Sequence, residues 1–320
     1  MQMSVKTWKA GAGLFSSPWN WSRSTAPVAG DSLTIQGGAA IMANQTFGSD
    51  GVRSTIGLTG PANSNSSMLV LWNSTLKNVL VDNAVPSPTG PDYRLAKHGT
   101  VLIAGTVTND GGEFEAGKGD LLFGGNSLDI VVEPNSTLIN KGVIAATPGN
   151  QMTITGYGGS TLENDGSIVA AGGGITIATH LTGTGDVRVS RGAHFSGNLE
   201  LKDAVDAGQT FHVSLTALQV DKPLSFLGAI DADPQQGGGA VWLEGLGAAS
   251  WDVNGSAVEF FDASGSMIDA LRLTTPQAPD ALTVYARPDP TFGSTVVVGT
   301  GPFFGPPTGT PLLPYHHAAT

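Results

Sequence analysis

Three segments of the chain repeat one pattern, and that repetition constrains the fold more than any other feature. They are Thr106-Val-Thr-Asn109-Asp-Gly111, Thr137-Leu-Ile-Asn140-Lys-Gly142 and Thr161-Leu-Glu-Asn164-Asp-Gly166. Each reads as a short apolar strand, an Asn-x-Gly turn and a second strand of small apolar residues. The asparagines follow one another at steps of 31 residues (109 to 140) and 24 residues (140 to 164). Steps of that size suit a chain that returns to the same place once per coil, with loops of variable length between. Identical corners would then stack at the strand spacing of about 4.8 Å, where asparagines can form a hydrogen-bonded ladder. Asn-Gly turns also recur in antiparallel sandwiches, but a sandwich gives no reason for the aligned repeats. The expectation is a parallel β-solenoid.

The rest of the sequence agrees with an all-β chain. Apolar residues come in short runs such as Ser32-Leu-Thr-Ile35, Met152-Thr-Ile-Thr155, Ile175-Thr-Ile177, Val187-Arg-Val189, Leu282-Thr-Val-Tyr285 and Thr295-Val-Val-Val298. Alternation of this kind is the strand signature. Gly or Asn-Asp-Gly bounds most runs and is read as supplying the positive φ that tight turns need. The best helical candidate, Leu199 to Ala207, is short and is followed by Gly208. Gly and Pro make up a fifth of the chain, yet 40% of it is apolar, enough to build a core.

The two ends differ from the middle. Trp8, Trp19 and Trp21 lie in the first segment with Leu14 and Phe15. An open solenoid end needs a plug over its core and unpaired edge, and these tryptophans are candidates for it. Stacking on sugar rings is the competing reading of the same three residues. Residues 221–300 hold weaker strands, with a hairpin expected around Ala263 to Gly265. In 301–320, prolines alternate with Phe303, Phe304, Leu312, Leu313 and Tyr315, a density incompatible with regular structure. That tail is read as an assembly arm, docked on its own chain or a neighbour, or as a flexible spacer. The expected division is 1–35 as an N-terminal cap, 36–220 as solenoid, 221–300 as its continuation or cap, and 301–320 as the tail.

Charge and composition remove several functions. The net charge is −11 with cations scattered singly, so nucleic acid and anionic membrane are poor partners. There is no cysteine, which rules out disulfides, thiolate metal sites and a cysteine nucleophile. No run approaches the roughly 18–20 apolar residues of a spanning helix. Met1 to Trp8 has no apolar stretch of the secretory type.

Candidate chemistry is sparse. The carboxylates worth weighing are Asp110 with Glu113 and Glu115, Asp120 with Asp129, and Glu163 with Asp165. Acid–base work needs two such groups facing one cleft, and these sit at glycine-rich turns where Asp is favoured for backbone reasons. The stretch Gly117 to Ile130 weakly echoes the nonapeptide that binds calcium in β-rolls, but one degenerate copy supplies too few oxygens. Of the histidines His98, His180, His194, His212, His316 and His317, only the last two are closely spaced. No nucleophile elbow or phosphate loop occurs. Neither catalysis nor a bound cofactor or metal is expected.

The segment Trp8…Gly13…Trp19-Asn20-Trp21-Ser22…Pro27…Gly30-Asp31-Ser-Leu-Thr-Ile35 resembles the start of passenger regions in bacterial autotransporter and filamentous-haemagglutinin-like adhesins. Leu181-Thr-Gly-Thr-Gly185, Val205-Asp-Ala-Gly208 and Phe226-Leu-Gly-Ala-Ile230 are similar to later coils of such proteins. The resemblance covers most of residues 8 to 298. It implies a right-handed parallel β-helix displayed outside the cell and serving adhesion or biofilm structure, without catalysis. At both ends the chain departs from the family, with no signal peptide or C-terminal membrane barrel read in the sequence. The expectation shifts accordingly to a secreted, self-assembling subunit, a homo-oligomer or filament, with surface or matrix polysaccharide as a further partner. A trimeric spike that binds or degrades polysaccharide is the alternative.

Overall fold

The computed structural model describes residues 4–36, 38–59, 67–72, 74–82, 94–95, 98–111, 113–116, 127–192, 197–231, 238–300 and 310–315. Among them there is no α-helix, and none therefore long and apolar enough to cross a membrane. The chain is all-β and its sheets are largely parallel. Leu199 to Leu201, the best helical candidate, belongs to the strand Asn198–Leu201. The fold forms two compact units, one of Met1–Val169 with Ala178–His180, the other of Ala170–Ile177 with Leu181–Thr320.

In the first unit a long parallel ladder joins Val5–Thr7, Ser32–Gln36, Ser54–Thr59, Val79–Asp82, Thr106–Asp110, Thr137–Asn140 and Thr161–Asn164. It begins at Val5, so the expected cap of residues 1–35 already contributes strands to it. A second ladder joins Thr46–Gly48, Ser74–Lys77, His98–Ala104, Ser127–Val132 and Gln151–Gly156. A third joins Arg94–Leu95, Glu113–Ala116 and Val143–Ala146. Near the N-terminus Ala12–Leu14, Gly38–Ala43 and Ser67–Trp72 form a further parallel set. From His98 onward the chain visits the three main ladders in rotation.

Alternation along each strand sends one set of side chains inward. Val107, Leu138 and Leu162 are buried in register with one another, and two positions on are Asn109, Asn140 and Asn164, equally buried. A buried amide is tolerated only when hydrogen-bonded. Here the Asn109 Nδ2 donates to Asn140 Oδ1 at 2.8 Å, and Asn140 Nδ2 donates to Asn164 Oδ1 at 2.8 Å. Asn140 also donates to the Ser167 carbonyl at 3.1 Å, which ties the corner to the next strand. The residues that follow, Asp110, Lys141 and Asp165, are exposed.

The glycines of these corners correct one expectation. Gly111 has a positive φ of 77°, but Gly142 and Gly166 do not. Gly166 packs against the backbone of Gly142, and a Cβ there would run into the Gly142 carbonyl. Close stacking of one corner on the next requires glycine at that position.

In the second unit one parallel ladder is formed by Asn198–Leu201, Ala217–Val220, Ala240–Glu244 and, up to Ile177, the strand Gly174–Ala178. Asp186–Ser190, Thr210–Ser214, Ala229–Asp231 and Met267–Leu273 form another. Between them the third face shrinks to the single parallel bridges Leu181 to Val205 and Val205 to Phe226. Phe211 and Phe226 fill the interior there, with ring centroids 5.1 Å apart.

Beyond Glu244 antiparallel pairing enters. Gly293–Thr300 runs antiparallel to Ala240–Glu244, and Leu282–Asp289 runs antiparallel to Gly293–Thr300. On the other sheet Ala257–Phe261 and Ser250–Asn254 add two antiparallel strands. The hairpin between Phe261 and Met267 falls where the sequence places it. Its turn is held by Asp262, whose Oδ1 accepts from the Ser264 and Ser266 amides at 2.8 and 3.0 Å.

Candidate functional site

At the N-terminus, Trp8 and Trp21 are buried and meet edge to face at 5.1 Å, and Phe15 packs on Trp21 at 5.3 Å and on Phe47 at 5.3 Å. The Trp21 indole donates to the Phe15 carbonyl at 2.7 Å. The loop behind this cluster is pinned by Lys6, which lies 2.6 Å from Asp31 and donates to the Ala26 carbonyl at 2.6 Å. Trp19 departs from the expectation of a shared plug. It sits in the short 3-10 turn Pro18–Asn20 and is 79% exposed, because that turn points its ring away from the cluster.

At the C-terminal end, residues 310–315 lie on their own chain. Leu312 bridges to Tyr285 and Tyr315 to Trp251, the edge strands of the two sheets. The Leu313 amide donates to the Val284 carbonyl at 3.0 Å, and the Trp251 indole donates to the Leu313 carbonyl at 3.1 Å. The Leu312 side chain is 60% exposed, while Leu313 and Tyr315 are half-buried. Phe303 and Phe304 lie outside the described residues, as do Asp120 and residues 86–91.

The candidate carboxylates among the described residues lie on several elements. Asp110 and Glu163 belong to the asparagine ladder and Asp129 to a different sheet, while Asp165 is in a turn. A cluster of titratable groups does form around His212. His212 Nδ1 lies 2.7 Å from Asp231, and its Nε2 lies 3.4 Å from Asp186. Both carboxylates have other partners, Thr274 on Asp231 at 3.2 Å and Arg188 near Asp186 at 3.8 Å. Among the described residues no group of three His, Asp or Glu side chains is placed to hold a metal.

The feature that sequence reasoning missed is on the outer face of the second unit. Leu199, Leu201, Leu218, Val220, Val241 and Leu243 point inward, so the alternating positions Glu200, Gln219 and Trp242 point outward, in register across three strands. They line a groove of about 530 Å³ with Asn198, Leu215 and Ala217. The Arg287 guanidinium lies over one side of the Trp242 ring, 4.2 Å from its centroid. Glu200 accepts from the Thr176 hydroxyl at 3.1 Å and pairs with Lys202 at 3.2 Å.

Two acids, Asp221 and Glu244, lie two residues beyond Gln219 and Trp242 along the chain. Burial pushes the Asp221 carboxyl up, and the nearby Glu200 charge adds to the shift, while the hydrogen bond from Gln219 at 3.0 Å opposes it. Burial likewise raises Glu244, against the hydrogen bond donated by the Thr295 hydroxyl.

The chain matches no known protein-family model and no curated protein sequence.

Proposed function

We propose that each unit is a right-handed parallel β-solenoid, and that the protein is a non-catalytic structural or adhesive component of a bacterial surface or biofilm matrix. The observation that carries the reading is the asparagine column Asn109–Asn140–Asn164, with its repeated corners in register. Such a column specifies stacking and little else, as a scaffold whose value is its outer surface requires. The resemblance to autotransporter passengers and filamentous-haemagglutinin-like adhesins supplies the extracellular setting. The sequence supports this reading over a degrading enzyme, because acid–base cleavage needs paired carboxylates in one cleft, whereas Asp110 and Asp165 sit at glycine-rich corners where Asp is favoured for backbone reasons.

Self-association into oligomers or filaments belongs to the same proposal. In the second unit the antiparallel strands and residues 310–315 occupy the ends of the sheets, so contact there would proceed through side faces. Electron microscopy of the purified chain, with product analysis after incubation with acidic and neutral polysaccharides, tests the reading. The expected result is rods or filaments and no new reducing ends or unsaturated sugars. Discrete trimers with measurable turnover would replace it with the polysaccharide-degrading spike.

A further inference from the structure

We propose that the groove bordered by Trp242, Gln219 and Glu200 is a binding subsite for a neutral saccharide, which rests on the adhesive reading and names the chemistry of its target. A saccharide ring presents C–H groups on its faces and hydroxyls around its rim. Binding one takes an apolar surface flanked by groups that donate and accept hydrogen bonds. Trp242, Leu215 and Ala217 supply the apolar surface, and Asn198, Gln219 and Glu200 supply the polar rim. The volume, about 530 Å³, falls within the range of small-molecule sites.

The site is also held in place. Arg287 packs on the Trp242 ring, which limits the rotamers open to the indole and reduces the entropy lost on binding. Glu200 is fixed by Thr176 and Lys202, and Gln219 by Asp221. Side chains on three adjacent rungs of a sheet form a rigid surface, whereas the same groups on loops would have to be ordered first.

Charge selects among ligands that could stack on an indole. The cations at the groove are already matched by acids, Lys202 by Glu200 at 3.2 Å and Arg287 by the nearby Glu244 and Asp289. A nucleotide or a uronic acid would therefore find no excess positive charge there, in a chain of net charge −11. An extended peptide would seek an unpaired sheet edge, and this groove lies on the face of strands paired on both sides. A neutral sugar is the class that remains.

The test is calorimetric titration of the full chain with glucose and N-acetylglucosamine hexasaccharides, and with hexagalacturonate as the acidic control. At least one neutral oligomer should bind, and hexagalacturonate should not. Trp242→Ala should weaken binding by about tenfold or more. Gln219→Ala removes only a half-buried amide and serves should the tryptophan variant fail to fold. It should also weaken binding, whereas Trp19→Ala should leave it unchanged.

Failure of every neutral oligomer to bind, or binding that survives both groove variants, overturns the proposal. A chain that forms rods but ignores all sugars rejects the subsite and leaves the scaffold reading standing. A chain that binds at Trp242 and also cleaves the oligomer rejects the non-catalytic reading and leaves the subsite standing.

Discussion

Trp251 and Tyr315 meet edge to face with ring centroids 5.0 Å apart, joining the last described residue of the chain to the edge strand Ser250–Asn254. The Tyr315 hydroxyl hydrogen-bonds Asp252, which pushes the phenol pKa up. With Leu313 held by Val284, residues 310–315 strap two sheet edges at once. Tyr315→Ala should release the strap. Amide hydrogen exchange at Leu313 and Trp251 should then accelerate by about tenfold or more, while the Asn140 region stays unchanged. Equal exchange in both proteins would mean that the aromatic contact holds nothing.

The asparagine column makes a sharper demand. Asn140 is fully buried and is both donor and acceptor within the column. Asn140→Ala removes both bonds of the column and the bond to Ser167, and a lost buried hydrogen bond costs about 1–3 kcal/mol. A loss of about 2–4 kcal/mol in chemical denaturation is expected.

The N-terminal tryptophans should separate cleanly. Trp21→Ala removes a buried ring and its hydrogen bond to Phe15, and should cost about 3–5 kcal/mol. Trp19→Ala should stay within about 0.5 kcal/mol of the parent. Comparable losses at the two positions would show that Trp19 has a packing partner in solution.

Two glycines test why glycine is present. Gly265 needs it for a φ of 82° and has open space beside it, so Gly265→Ala should cost about 1 kcal/mol. Gly166→Ala forces a methyl into the Gly142 carbonyl and should cost more than that. The comparison is of denaturation midpoints.

Glu244 predicts a pH dependence. Its folded pKa is raised above the ordinary glutamate value, so its ionised form opposes folding. The contribution of the protonated acid is fully present below the ordinary value and is lost as pH rises through the folded one. Glu244→Gln should therefore be more stable than the parent at about pH 7.5, with the difference closing near pH 4. A gap that does not change with pH would assign the effect to packing.

The asparagine corners were legible in the sequence because each stacked position repeats the residue beneath it, so contact in space becomes recurrence along the chain. The strand runs were legible for a similar reason, since burial of alternate residues leaves a period of two. Trp242, Gln219 and Glu200 left no such trace. They occupy single outward positions on separate strands, each with a different neighbour, and only the register aligns them. Trp19 was misplaced because aromatic density near an end says nothing about which ring a short turn directs outward. Gly166 was misread because the crowding it relieves comes from a residue 24 positions away.

Asn109 and Asn140 are 31 residues apart and Asn140 and Asn164 only 24, yet both pairs sit in the same register. Most of the difference falls between the strand that ends at Ala116 and the strand that begins at Ser127. In a coiled coil, one inserted residue shifts every contact beyond it. Here an insertion between strands is absorbed where it occurs, and the next corner returns to the same column. A segment inserted between two strands is thus expected to leave the asparagine column in place, so strand-to-strand length can vary while the stacking does not.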